Sequence, residues 1–451
     1  MIIEMKKLNN VIRKILTIII LLGLTIGNSY SQEIINTLKL DSLFKILDEN
    51  NKFMGSIAIS HNGKIIYSKT IGYDDIKTNK KSSINSKYRI GSISKMFTAS
   101  LIFKAIEEKK IKLSQTIDKF FPSIENANKI TISNLLNHRS GIYSFTDEKN
   151  YLKWNTIPKS ENEMIEIIAK GKSKFEPDSK AEYSNSNYIL LSYILEKIYN
   201  QSFNIILGEK IIKPLELKNT YLGRKININE NECLSYKLII NWTKEPETDI
   251  SIPLGAGGIV SNPIDLVKFI EELFAEKIIN KKSLEQMTKI KDNYGMGIFQ
   301  FPFYEKKGYG HTGGIDGFSS ILAYFNDDDL AIALTSNATN FDNNNIVIGA
   351  LSAYFNRPYD IPSFKNVELK SEDLDKYLGI YSSKQIPLKI TINKENSILT
   401  AQASGQPSFS LNATDNDTFK FDPAGITIIF KTEQKQMILK QGTGEYIFNK
   451  E

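Results

Sequence analysis

Residues 55–72, GSIAISHNGKIIYSKTIG, alternate apolar and polar side chains about Asn62-Gly63. A two-residue Asn-Gly loop takes a turn whose twist matches that of paired strands, so this region reads as a β-hairpin. Strand patterns return at residues 321–325 and 330–335, joined by the turn Asn326-Asp327-Asp328-Asp329. Between them the spacing is helical. Met96, Phe97, Leu101, Ala105 and Ile106 recur mostly at three- to four-residue intervals, as do Ile189, Leu190, Tyr193, Ile194 and Ile198. Asn262 before Pro263 predicts an N-cap and a first helical residue, with Leu266, Phe269, Ile270, Leu273 and Phe274 on one buried face. Strands at both ends of a region with helices between them predict an α+β domain: an antiparallel sheet, flanked by helices and closed by its two ends.

The pattern breaks at Pro358 and Pro362. Beyond them, short β-type runs at 388–392, 397–401, 419–421, 427–430 and 436–440 are separated by Gly, Asn and Asp turns. Such spacing predicts a small all-β barrel or half-barrel. The expected organisation is an α+β domain over 32–360 and a C-terminal barrel-like domain over 366–451.

Residues 1–31 read differently. Lys6, Lys7, Arg13 and Lys14 precede an apolar run at 15–26 and then Ser29-Tyr30-Ser31. This predicts a secretory signal cleaved after Ser31, and hence an exported protein, periplasmic or extracellular. The apolar core is shorter than the roughly 20 residues of a spanning helix, so no stable membrane span is expected after cleavage. These four cations, set against Glu4, carry half of the formal charge of +6 left by 57 Lys+Arg and 51 Asp+Glu. The remainder is too small to require an electrostatic partner, and the five arginines are scattered, which argues against nucleic-acid binding. Cys233 is the single cysteine and reads as an ordinary free or buried thiol.

The three histidines form no H-E-x-x-H motif and lie beside no paired cysteines, so no metal site is expected. A G-x-S-x-G elbow, a Walker A loop and a G-x-G-x-x-G turn are also missing, which removes the common α/β-hydrolase and nucleotide-binding readings. What remains is Arg89-Ile90-Gly91-Ser92-Ile93-Ser94-Lys95 at the start of the first long helical pattern. A serine and a lysine three residues apart share a helix face, and the positive end of the helix favours developing negative charge. A lysine whose pKa is lowered by burial can act as a base toward the hydroxyl. The same spacing at Ser42 and Lys45 reads as an exposed amphipathic face. Taken alone, Ser92 and Lys95 read equally as a capping serine beside an exposed lysine and as a nucleophile with its base.

Two further segments bear on that choice: Tyr183-Ser184-Asn185 before one apolar helix, and His311-Thr312-Gly313-Gly314 before the late strands. S-x-x-K, Y-x-N and H-T-G in this order resemble the serine β-lactamase and penicillin-binding-protein superfamily, in particular its class C branch with D,D-peptidase, D-aminopeptidase and esterase relatives. Leu135-Leu136-Asn137-His138-Arg139-Ser140-Gly141, Gly255-Ala256-Gly257-Gly258 and Gly313-Gly314-Ile315-Asp316-Gly317 extend the resemblance over about residues 40–355.

The resemblance implies a β-lactamase/transpeptidase-like fold and three catalytic residues. Ser92 would be the acyl-accepting nucleophile, Lys95 would assist its deprotonation, and Tyr183 would carry protons to the leaving group. Asn185, His311, Thr312, Gly313 and Gly314 would bind substrate, Asn185 either through the substrate amide or by orienting Lys95, with the N–H groups of Ser92 and Gly314 forming the oxyanion hole on an edge strand. No metal or organic cofactor is implied. The best-known members carry lysine where His311 stands, and histidine is largely neutral at pH 7, which weakens the β-lactamase and carboxypeptidase readings. His138 is expected to hydrogen-bond within its loop.

The function implied is an exported serine hydrolase acting on a small-molecule or peptide substrate with an ester or amide bond: a D-amino-acid peptide, a β-lactam or a short acyl ester. The alternative is a penicillin-binding or sensing protein that acylates slowly or not at all.

Overall fold

A computed structural model describes residues 35–451 apart from 239–240, 365–366 and 443. The expected signal segment lies outside the described residues. Six strands, β1 (Phe53–His61), β2 (Lys64–Ile71), β3 (Phe299–Phe303), β4 (Lys306–Ile315), β5 (Phe318–Phe325) and β6 (Leu330–Thr339), form one antiparallel sheet in the order β3-β4-β5-β6-β1-β2. β1 pairs with β6 from Phe53 opposite Thr339 to His61 opposite Leu330, so the two ends of the domain close the sheet as expected. Asn62 and Gly63 both take positive φ, 52° and 72°, the conformation that an Asn-Gly hairpin turn requires.

The major helices are α1 (Thr37–Glu49), α2 (Ser94–Glu107), α3 (Asn185–Tyr199), α4 (Pro263–Phe274) and α5 (Asn343–Tyr354). Alternation along β6 divides them between the two faces of the sheet. Ile332 and Leu334 pack with Leu43 and Phe44 of α1 and with Ile346 and Ala350 of α5. Ala331 and Ala333 join the larger core of Phe97, Leu101, Leu191, Phe269 and Ile270. Both faces are covered, which is why β1 and β6 are buried almost throughout. α2 runs through the middle of that larger core with eleven of its residues buried, among them Lys95. The Asn262 side chain accepts a hydrogen bond from the N–H of Asp265, and Pro263 opens α4, as the sequence predicts.

Two strands escape the sequence pattern. β3 carries Pro302, which an edge strand tolerates, and β4 carries four glycines and two lysines, which obscure any alternation. The C-terminal region is a closed barrel of eight consecutive antiparallel strands, from Gly379–Ser382 to Gly444–Lys450, with Tyr381 opposite Lys450 at the seam. Closure settles the choice between barrel and half-barrel. Among the described residues no helix is long and apolar enough to cross a membrane.

Candidate active site

Ser92 lies in a 3₁₀ turn, Gly91–Ile93, that runs directly into α2, and it caps nothing: no side chain at this helix start makes a capping hydrogen bond. Lys95 is fully buried. The reading as a capping serine beside an exposed lysine therefore fails. Lys95 Nζ lies 2.9 Å from Ser92 Oγ, 2.8 Å from Asn185 Oδ1 and 2.7 Å from the carbonyl oxygen of Ala256. Burial holds its pKa well below the usual lysine range. In the neutral form, the two amine protons satisfy Asn185 and Ala256, and the lone pair is left facing the serine hydroxyl.

Tyr183 approaches the same oxygen from another side, its hydroxyl donating to Ser92 Oγ at 2.8 Å. Burial raises the phenol pKa, so Tyr183 keeps its proton at neutral pH and stands as a hydrogen-bond donor to Ser92. Asn185 opens α3 and is held at both ends, with Oδ1 on Lys95 and Nδ2 donating to Thr146 Oγ1 at 3.0 Å. The Gly255-Ala256-Gly257-Gly258 stretch also reaches the centre, through a carbonyl that no residue-type motif advertises.

The remaining wall is β4. Its outer neighbour β3 begins at Phe299, opposite Gly310, so β4 is second from the edge, yet among the described residues no strand lies beside His311–Ile315 on that side. The expectation of an edge strand is corrected to that extent. Here the nucleophile turn meets the strand with no room to spare. A Cβ on Gly91, whose φ is +51°, would lie 2.7 Å from the nitrogen of Gly314, and one on Gly313 would lie 2.0 Å from the carbonyl oxygen of Ile90. Only glycine at these two positions lets the backbones touch.

The H-T-G residues separate by strand alternation. Gly314 lines the cleft beside Ser92 and Asn185, Thr312 is exposed, Gly313 packs on Ile90, and His311 is buried rather than lining the cleft. Nδ1 of His311 faces the carbonyl oxygen of Thr312 and carries the proton, which leaves Nε2 buried without a partner. Burial first, and then the charge of Lys95, lower its pKa to about 3. His311 is therefore neutral across the physiological range and offers no cation to a substrate.

A stability prediction follows from that shift. As pH falls through 6.5 the unfolded chain takes up a proton at this position, whereas the folded chain does not until about 3. Stability is therefore lost on acidification across that window, by up to about 1.4 kcal/mol per pH unit from this group. His311→Gln should show a shallower loss of denaturation midpoint between pH 6.5 and 4 than the wild type. An identical slope would mean that His311 titrates freely in the folded protein.

A model of the beta-lactamase family matches residues 41–351. The chain belongs to the beta-lactamase family. It is 25% identical over 423 residues to penicillin-binding protein 4* of Bacillus subtilis (strain 168), covering 87% of this chain and 93% of that one. It is 27% identical over 297 residues to the teichoic acid D-alanine hydrolase of Staphylococcus aureus (strain MRSA252), covering 64% and 72%. The solved D-amino acid amidase of Ochrobactrum anthropi SV3, 25% identical, superposes with a TM-score of 0.62 over 70% of this chain and 99% of its own. With these relatives, this member of the beta-lactamase family is a serine hydrolase.

The surroundings of the hydrolase centre give His138 and Asp316 positions that the sequence did not assign. His138, at φ +59°, accepts a hydrogen bond from the N–H of Ser184 at 3.2 Å, and its ring lies 4.5 Å from that of Tyr183. It supports the phenol from behind, together with Tyr294 and Phe299. Arg89 and Asp316 form a buried ion pair at 3.0 Å that ties the strand entering the nucleophile turn to the loop leaving β4. Asp316 also accepts from the Thr248 hydroxyl at 2.6 Å and from its N–H at 3.0 Å. The cleft itself, about 430 Å³, is bounded on its outer side by the hairpin of Tyr236–Leu238 and Trp242–Lys244. From this side come Lys237, exposed, and Glu245, half-buried, neither in an ion pair among the described residues.

Proposed function

We propose that this hydrolase is exported and cleaves D-aminoacyl esters or amides that carry a free ammonium group, through an acyl-enzyme on Ser92. Lys95 takes the Ser92 proton as the oxygen attacks the carbonyl carbon. The N–H groups of Ser92 and Gly314 receive the oxyanion, and Tyr183 protonates the departing alcohol or amine. Water then attacks the ester on Ser92, giving its proton to the Tyr183 phenolate, while Lys95 returns its proton to Ser92 Oγ as the acid departs. Asn185 orients Lys95, and His311, Thr312 and Gly313 shape the strand beside the acyl group without supplying charge.

The observation that carries the choice of substrate is the charge in the cleft. The strand position that could anchor a carboxylate holds a neutral, buried His311, while Glu245, half-buried and without an ionic partner among the described residues, lines the cleft. A carboxylate with no ionic partner favours an ammonium ligand. The names of the D-alanine hydrolase and the D-amino acid amidase support the same class. Export is supported by the cationic, apolar N-terminal sequence.

Glu245→Gln should raise KM for D-alanine methyl ester about tenfold and leave N-acetyl-D-alanine methyl ester unchanged. Equal effects on both substrates would remove Glu245 from ammonium recognition. The second reading, a D-alanyl peptide ending in a carboxylate, rests on Lys237. It predicts that Lys237→Met impairs cleavage of such a peptide while sparing the ester. A stable adduct with no turnover of any of these compounds would favour a sensing role.

A further inference from the structure

The C-terminal barrel holds a cavity of about 470 Å³ that the hydrolytic chemistry does not use. Along each strand alternate side chains point inward, and they fill the two ends of the barrel differently. At one end Leu374 and Tyr377, from the turn Ser371–Tyr377, plug the interior. The Tyr377 ring lies 4.5 Å from that of Phe430 and 5.1 Å from that of Phe419, and Phe448 completes the packing.

At the other end the inward positions of Ile398–Ala403 are Ala401 and Ala403, and the space they leave is walled by Ile428 and Leu439 and by the stacked rings of Phe409 and Phe421, 4.4 Å apart. The mouth carries Gln406, Ser408 and Gln441, and none of the lining side chains is ionisable. An eight-stranded barrel is just wide enough to be filled by its own side chains or to hold one small ligand. This barrel does the first at one end and leaves room for the second at the other. An apolar cavity of about 150 Å³ stays dry and takes a benzene-sized guest; this one is roughly three times larger.

We propose that the barrel binds one uncharged small molecule with an apolar body, seated against Ala401, Ala403 and Leu439 with its polar end at Gln406, Ser408 and Gln441. The rim beside the mouth is anchored to the hydrolase domain, since Lys52 pairs with Asp422 at 2.8 Å and the N–H of Asp342 donates to the Asp422 carbonyl oxygen at 2.9 Å. The guest therefore sits in a fixed body next to the domain junction.

Titration of the purified full chain with the neutral fluorophore N-phenyl-1-naphthylamine tests this directly. Saturable binding at one site is expected in the wild type and, undiminished, in Ser92→Ala. Ala403→Phe, which fills the cavity, should weaken binding at least tenfold while ester hydrolysis continues at the wild-type rate. Trp154 and Trp242 both lie outside the barrel, so Phe421→Trp, at the mouth, should add energy transfer to the bound probe beyond the wild-type level whether or not the filled variant folds. Absence of saturable binding in the wild type, full affinity in a folded Ala403→Phe, or no added transfer from Phe421→Trp would overturn the proposal.

Discussion

Lys95→Met is expected to lower kcat/KM for a p-nitrophenyl acyl ester by about 10³- to 10⁴-fold, the range that loss of a positioned general base produces. The thioether chain has nearly the length and shape of the lysine stem, so α2 keeps its packing. What disappears is the amine 2.9 Å from Ser92 Oγ, together with the partner of Asn185 Oδ1 and of the Ala256 carbonyl oxygen. Because burial lowers the Lys95 pKa, the wild-type rate should fall on acidification as the amine takes up its proton and loses the lone pair that faces Ser92. The residual rate of Lys95→Met should lack that acid limb. A variant that kept the wild-type rate and pH profile would assign the base elsewhere.

Gly313→Ala is the second large effect. The added Cβ would stand 2.0 Å from the Ile90 carbonyl oxygen, with Ser320 Oγ, itself donating to the same carbonyl, 2.5 Å away. The obstacle is backbone, so either β4 or the nucleophile turn must move by about 1 Å, and a misplacement of that size costs on the order of 10²-fold in rate. The loss should fall on kcat more than on KM, because the shift separates the N–H groups of Ser92 and Gly314, which act only on the developing oxyanion. A kcat within twofold of wild type would show that the contact relaxes without disturbing the centre.

The parts of this centre that could be read in the sequence are those whose chemistry resides in residue type. Ser92, Lys95, Tyr183 and Asn185 sit at the starts of buried helices, where apolar spacing locates them and their polar side chains stand out. The hairpin turn at Asn62-Gly63 and the cap at Asn262 were legible for the same reason: one local conformation demands one residue type. The Ala256 carbonyl was not, because a backbone acceptor leaves no compositional mark. Neither was Glu245, one acid among 51 Asp+Glu, distinguished only by the hairpin that turns it toward the cleft.

His311 was legible as a departure from lysine, but its consequence was not. Strand alternation buries it beside Phe299, 4.3 Å between ring centroids, where it lines no part of the cleft. β4 itself was hidden by the glycines that let it approach Gly91, so the residues that build the site also erased its strand pattern. In the barrel, the strands Gly379–Ser382, Phe409–Asp415 and Gly444–Lys450 were missed because short strands that expose every second side chain differ little from polar loops.

The central claim is that Ser92 becomes acylated. Rapid quench of the protein with D-alanine methyl ester, followed by peptide mass mapping, measures this directly, with Ser92→Ala carried alongside after a check that it is folded. The expected result is a D-alanyl mass increment on the peptide containing Ser92, absent from the variant, together with a loss of turnover in that variant of about 10⁴-fold or more. Turnover by Ser92→Ala at the wild-type rate, or an increment on another residue, would contradict it.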